Sequence, residues 1–387
     1  MIEFKVSAPG KLNLFGEHMA KYNRTCIVAS LDLRTTLKFS ELPDSKGYIE
    51  VKFSKIALCF SIPVKKFQNF FDNCVFDDTL YKQVLEFIPF KRAFPTVCQT
   101  LVVFTFFYLL TYIAHKEKIK VTPFQIDLET QLNMNENVGG LTSIIVCYTT
   151  CFLQWQYLKN NTSINNKRHE CLDKIFEYSS ICQVTFREFN TFITDIAVSV
   201  YDRCVVKCTF DDSLSKLIIH PHIKILLVNT QIGQSKKSVL EKMKKKERLP
   251  LVNSILNNIE AVTITAFYTL KLLQSSFWER RDIDANDPDM ICKISDQQKE
   301  LLPLIRMQHE LFDLLDMTDI NLNIICKIAQ RYKLAGKYTN IDGRKYVYIW
   351  CLPETSSVNI MLLTKELQSK GYSVMEVNLA RDGVKIQ

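Results

Sequence analysis

The sequence holds only 10 glycines in 387 residues, where average usage of about 7% would give roughly 27. Glycine lets a backbone approach a phosphate closely and take left-handed turns. A chain this poor in it has few places where bare N–H groups can cradle a phosphate. Also missing is an apolar run long enough for a bilayer. The longest, Leu101–Ala114 (LVVFTFFYLLTYIA), is closely followed by Lys116 and Lys118 and falls short of the roughly 20 residues a spanning helix needs. It reads as a buried helix, and no membrane partner is expected. The opening MIEFKVSAPG lacks the apolar core and cleavage-like end of a secretion signal, so a cytoplasmic location is expected. The 13 cysteines contain no Cys-x-x-Cys pair, which removes the common zinc and redox frameworks. In a reducing compartment such thiols serve as small apolar residues. Cys204 and Cys208 lie four apart with His220 and His222 nearby, and a metal there is not expected.

What is present fits a folded protein of more than one domain. Hydrophobic residues make up 47% and charged residues 23%, ordinary values for a chain with a sizeable core, and the length suggests two or three domains. The net charge of +8 suits an anionic partner such as a nucleotide, a nucleic acid or an acidic membrane. The densest basic cluster, Lys236–Arg248 (KKSVLEKMKKKER), alternates with Val, Leu and Met at helical spacing. Without interleaved aromatic residues it reads as a solvated helix face rather than a nucleic-acid patch.

Periodicity divides the chain further. Phe4–Val6, Thr25–Phe39, Glu50–Phe60 and Phe124–Leu128 read as strands. Leu80–Phe87, the apolar stretch 97–114, Leu141–Tyr157 and Cys171–Phe189 read as helices, and Ile196–Val206 as a strand. Beyond residue 214 the pattern becomes helix–strand. Lys224–Val228 is a short buried strand, and Ile255, Ile259, Val262 and Ala266 mark one face of a long helix. Residues 279–298 are polar and read as loop, with Asp287-Pro288 as a breaker. Two helical runs follow in Leu301–Ala329, then strands at Tyr346–Cys351 and Ser373–Val377. The fold class expected is α+β, in two domains, 1–213 and 214–387.

Ser7-Ala8-Pro9-Gly10-Lys11 followed by Gly16-Glu17-His18 is a compact motif, and it is joined in order by Leu31–Thr35 (LDLRT), Thr194–Ser199 (TDIAVS), Leu226–Thr230 (LLVNT), Val252–Val262 (VNSILNNIEAV) and Leu304–Leu311 (LIRMQHEL). Together these resemble the mevalonate kinase branch of the GHMP small-molecule kinases over nearly the whole chain. The resemblance implies a ribosomal protein S5-like N-terminal half and a ferredoxin-like α/β C-terminal half. It implies ATP and Mg²⁺ as cofactors, mevalonate as substrate, and transfer of phosphate to the mevalonate 5-hydroxyl in isoprenoid precursor synthesis. A homodimer is one assembly it allows. Phosphoryl transfer asks for positioning and charge neutralisation, and by resemblance Asp195 is the base and Lys11 the cation, while Glu17 and His18 line the mevalonate pocket.

The phosphate-binding stretches depart from the family pattern. The glycine-rich loop that opens a helix is here Asn133–Leu141 (NMNENVGGL), with Leu141 at the family's magnesium-binding serine and Glu136 adding negative charge. Asn137, Gly139 and Gly140 with Thr142 or Ser143 are the nucleotide-binding candidates that remain. The family's magnesium glutamate aligns with Val184, and Glu188, one turn on, is the candidate replacement. The glycine run after Lys-x-Thr has become Lys337–Lys345 (KYTNIDGRK), with one glycine left. Arg344 and Lys345 offer charge there, while Tyr338, Ile341 and Tyr346 are bulky. Two readings stay open: a working mevalonate kinase, or a catalytically inactive chain that keeps the fold as a binding or regulatory module.

Overall fold

The structure, a computed structural model, describes residues 1–88, 94, 96–132, 140–164, 168–185, 193–202, 204–208, 214–218, 223–233, 250–278, 288–341, 344–379 and 382–387. Asn137, Gly139, Glu188 and the basic stretch Lys236–Arg248 lie outside the described residues. The chain divides into two compact units. One consists of Met1–Gly10, Leu33–Tyr201 and Asp382–Gln387, the other of Lys11–Asp32 and Asp202–Arg381. They are interleaved, where the sequence suggested contiguous halves meeting at 213/214. The chain passes from one unit to the other inside its first two strands, and its last strand pairs back onto the first.

The first unit holds strands β1 (Glu3–Phe15), β2 (Cys26–Glu41), β3 (Tyr48–Phe53), β4 (Leu58–Pro63), β5 (Phe124–Thr130) and the short β12 (Lys385–Ile386), in the order β12-β1-β2-β5-β3-β4. Strands β3 and β5 run parallel, whereas β2–β5, β3–β4 and β1–β12 are antiparallel. Its helices are α1 (Val64–Asp72), α2 (Leu80–Phe87), α3 (Val97–Glu117), α4 (Leu141–Lys159), α5 (Arg168–Thr185) and α6 (Ile193–Val200). Helices α3 and α4 are apolar on every side, the pattern of helices enclosed by protein. They pack on each other and, through Phe106 and Trp155, on Phe39 and Phe124 of the sheet, with ring centroids 5.1–6.2 Å apart. Helix α3 is long and apolar enough to pass for a membrane span, but 83% of its most apolar window is buried in the protein, as the sequence suggested. A reciprocal capping box, Thr96 with Gln99, starts it, and Lys118 in the left-handed region (φ 54°) stops it.

In the second unit β8 (Lys224–Gly233), β9 (Ala335–Ile341), β10 (Arg344–Cys351) and β11 (Ser373–Asn378) form an antiparallel sheet in the order β11-β8-β10-β9. The Cys26–Ala29 part of β2 pairs with β6 (Cys204–Cys208), which pairs with β7 (Leu214–Ile218). Helices α7 (Pro250–Trp278), α8 (Pro288–Lys299), α9 (Leu301–Leu314), α10 (Ile320–Arg331) and α11 (Ser357–Ser369) complete it. Ile255, Ile259, Val262 and Ala266 form the buried face of α7, as their spacing suggested.

Three expected elements differ. Glu50–Phe60, read as one strand, is two, β3 and β4, which pair antiparallel across a turn at Ser54–Ala57. Ile196–Val206, read as a strand, is the helix α6 up to Val200, and strand begins only at Cys204. Thr194 to Val200 are buried all round, so no polar face marks a period, and packing against α4 and α5 overrides the β-branched composition. Pro288, read as a breaker within a loop, is the first residue of α8. Proline is well placed there, because the first helical N–H has no intrahelical acceptor.

Candidate active site

In the second unit the candidates cluster where β1 runs out. Lys11 and Asn13 share one face of the strand and are half-buried, alternating with buried Leu12 and Leu14. The chain then turns at Gly16–His18. Gly16 sits at φ +72°, and a Cβ there would come within 2.5 Å of the Thr25 carbonyl oxygen, so only glycine makes this turn. His18 is also left-handed, at φ 63°, a conformation uncommon outside glycine and costing on the order of 1–3 kcal/mol. The turn is clamped from three sides. Gln308 Oε1 on α9 accepts the Gly16 N–H (3.1 Å), the Tyr348 hydroxyl donates to the Leu14 carbonyl (2.7 Å), and Met19 N–H donates to Gly16 O (3.0 Å).

Glu17, at the centre of that turn, is 1% exposed. Asn13 Nδ2 donates to its Oε1 (2.8 Å), Thr339 Oγ1 donates to its Oε2 (3.0 Å), and His18 Nε2 lies 3.9 Å from Oε1. Burial alone would push this carboxyl up. The charges of His18, Lys11 and Lys337 and the Asn13 hydrogen bond outweigh it and hold the group below its ordinary range. Lys337 is buried too, its ammonium donating to the Tyr338 carbonyl (3.1 Å) and lying 5.1 Å and 5.5 Å from the Phe312 and Tyr348 ring centroids. Desolvation brings it down to about 8, against the attraction of Glu17. The turn therefore carries an ionised carboxylate among cations. Asn13, Gln308 and Thr339 were not among the sequence candidates. The two-residue period along β1 points to Asn13 beside Lys11, whereas only the fold brings Gln308 and Thr339 to positions 16 and 17.

In the first unit Asp195 lies in the first turn of α6 and is 1% exposed. The helix is tied to the entering strand by Ser199 Oγ, which donates to the Pro9 carbonyl (3.1 Å). Gly140 precedes α4 and brings no side chain to cap it, so the first N–H groups of that helix call for another acceptor. Thr142 and Ser143 follow inside the helix, both buried. The Ser143 hydroxyl donates to the Gly140 carbonyl (2.8 Å) and meets Thr35 Oγ1 (2.7 Å), which in turn meets Thr130 Oγ1 (2.8 Å). Arg34, beside it in the LDLRT motif, donates to Ser7 Oγ and to the carbonyls of Ser7, Asp382 and Gly383. These motif residues lock the strands together.

Strand β9 runs without interruption from Ala335 to Ile341 and pairs residue by residue with β10. Tyr338 of β9 and Tyr346 of β10 are both buried. Lys345 is in an ion pair with Asp319 Oδ2 (2.9 Å), and Asp319 also caps α10 through the Asn321 and Leu322 N–H groups. The Tyr338 N–H donates to His309 Nδ1 (3.2 Å), whose Nε2 meets Asn323 Oδ1 (3.0 Å). Burial lowers this imidazole's affinity for a proton.

Among the described residues no group of three or more His, Cys, Asp or Glu side chains is placed to hold a metal ion. Leu141 is buried in α4, Val184 stands half-exposed on α5, and the Ser143 hydroxyl is committed to Gly140 and Thr35. The described residues by themselves do not make a magnesium site, and no step below runs through one.

No family model matches the chain. It is 22% identical to human mevalonate kinase over 395 residues, covering 98% of this chain and 94% of that one. It is 23% identical to the Candida albicans mevalonate kinase over 410 residues, covering 100% and 90%. The crystal structure of Methanococcus jannaschii mevalonate kinase superposes with a TM-score of 0.66 at 16% identity, covering 97% of this chain and 98% of that chain. Over its whole length the chain resembles the mevalonate kinases, and its fold is that of the GHMP kinases.

Proposed function

We propose that this chain phosphorylates the 5-hydroxyl of mevalonate, or of a close hydroxy-acid analogue, with ATP as donor. In this reading the Asp195 carboxylate accepts the hydroxyl proton as the oxygen forms its bond to the γ-phosphorus and the bond from that phosphorus to the bridging oxygen of ADP breaks. Lys11 offsets the negative charge spread over the transferring phosphoryl group. Glu17 and His18 hold the hydroxy acid. Bound magnesium would add neutralisation of the phosphates. The observation that carries the reading is the pairing of end-to-end similarity with survival of the base: Asp195 remains a buried carboxylate in the first turn of α6. Ten of the cysteines are free thiols, in keeping with a reducing cytoplasm.

The test is an ADP-release assay with purified protein, Mg²⁺, ATP and mevalonate, run beside Asp195→Asn. A positioned general base contributes about 10²–10⁴-fold, so the variant should lose that much in kcat while melting like the parent. Parent turnover no greater than that of Asp195→Asn would remove the kinase reading.

A second reading, a GHMP-fold pseudokinase serving as a binding module, draws on the β9–β10 hairpin. In the stretch aligned with the family's glycine run, Lys337–Ile341 and Arg344–Lys345 belong to paired strands, with buried Tyr338 and Tyr346 and a lysine committed to Asp319. That reading gains if mevalonate binds calorimetrically while turnover stays at the Asp195→Asn level.

A further inference from the structure

The Lys-x-Thr of β9, Lys337 and Thr339, stands just before the positions of the missing glycines. Lys337 and Thr339 are two apart on the strand, hence on one face, and both are fully buried. That face meets the Gly16–His18 turn: Thr339 Oγ1 donates to Glu17 Oε2 at 3.0 Å, while Asn13 Nδ2 serves Oε1 at 2.8 Å. Each carboxylate oxygen thus has one neutral donor of fixed direction. The donors come from different parts of the chain, β1 and β9, 326 residues apart from Asn13 to Thr339 by subtraction of their numbers. A carboxylate 1% exposed cannot rely on water and takes its orientation from such donors. Neighbouring bonds fix the rest of the frame. Tyr348, on the strand paired with β9, holds Leu14 O, and Gln308 holds Gly16 N while donating to Thr263 Oγ1 at 3.0 Å. The turn itself is therefore held without Thr339, whose hydroxyl addresses the carboxylate alone.

We propose that Thr339 is a positioning residue that aims the Glu17 carboxylate at the substrate, with Lys337 as the buried cation behind it. This rests on the reading in which Glu17 touches the hydroxy acid. Thr339 acts through Glu17 and touches no reacting atom.

The test compares Thr339→Val, which keeps the shape and removes the hydroxyl, with Thr339→Ser, which keeps the hydroxyl. In steady-state assays Val should raise the KM for mevalonate about tenfold or more, the loss of one hydrogen bond to a charged group, and leave the KM for ATP within about twofold. Ser should restore the mevalonate KM to within about threefold of the parent. Alongside, ¹³C NMR of the labelled Glu17 carboxyl should give a titration midpoint that is higher in Val and returned toward the parent value in Ser. This second readout needs no turnover. If the parent does not phosphorylate mevalonate, the substrate reading fails, and the carboxyl titration still decides whether Thr339 governs Glu17. An unchanged midpoint in Val, or a mevalonate KM that Val leaves alone in an active enzyme, would overturn the proposal. So would a Val defect that Ser fails to rescue, because that marks a packing role.

Discussion

Lys337 is a lysine held in the protein interior. Its ammonium is enclosed by Phe312 and Tyr348, and desolvation brings it to about 8 from an ordinary value of 10.5. Between those values the unfolded chain binds more protons than the folded one, so this residue's contribution to stability rises with pH across the window. Below pH 8 the lysine is charged in both states and its burial penalty is fully present. Above about 10.5 it is neutral in both. The difference amounts to ~3 kcal/mol. Melting temperatures of the parent and Lys337→Met, taken from pH 7 to 10.5, should therefore show the parent gaining on the variant as pH rises. A constant difference would mean that Lys337 is not desolvated as described. Position 337 was legible in the sequence only as part of a Lys-x-Thr frame. Nothing local marks it as buried, because the rings around it come from α9 and β10. Lys11, Glu17 and His18 were legible because they sit within eight residues of one another and in a fixed motif.

At the scale of elements, Asp319 does two jobs at one junction. It caps α10 and pairs with Lys345 on β10, a lysine whose side chain is 7% exposed. Asp319→Ala strips the cap and leaves a buried charge alone, and should cost about 3 kcal/mol or more in urea unfolding. Asn caps as well as Asp, so Asp319→Asn should cost clearly less; equal losses would show that the cap contributes nothing, and a loss-free Asn variant would show the same of the ion pair. Long elements with a strong apolar signal could be read directly. Helices α3 and α4 declared themselves by length, and α7 by its face of Ile255, Ile259, Val262 and Ala266. The misreadings have physical causes. Helix α6 is buried all round, so it shows neither a three- nor a two-residue period. Pro288 opens a helix rather than ending one. The pairing of β9 with β10 is obscured because Lys337–Lys345 aligns with a glycine run, and because Lys337, Tyr338, Thr339 and Asn340 are buried in succession, which leaves no two-residue alternation to mark a strand.

At the scale of the whole molecule, the order of motifs from Ser7 to Leu311 pointed to the fold, and mevalonate kinases with about a fifth of their residues in common match the chain over nearly its whole length. What linear order hides is the interleaving. Lys11–Asp32 folds with the second unit and Asp382–Gln387 with the first, and that assignment follows from strand pairing, which sequence separation does not reveal. Scarce glycine and the buried carboxylate of Asp195 pull in opposite directions, and one measurement decides between them. Protein incubated with ATP, Mg²⁺ and mevalonate is followed by ³¹P NMR, with Asp195→Asn in parallel. A new phosphomonoester signal matched by ADP, absent or at least about a hundredfold slower in the variant, is the predicted result. An ATP spectrum that stays unchanged in both samples would contradict the account.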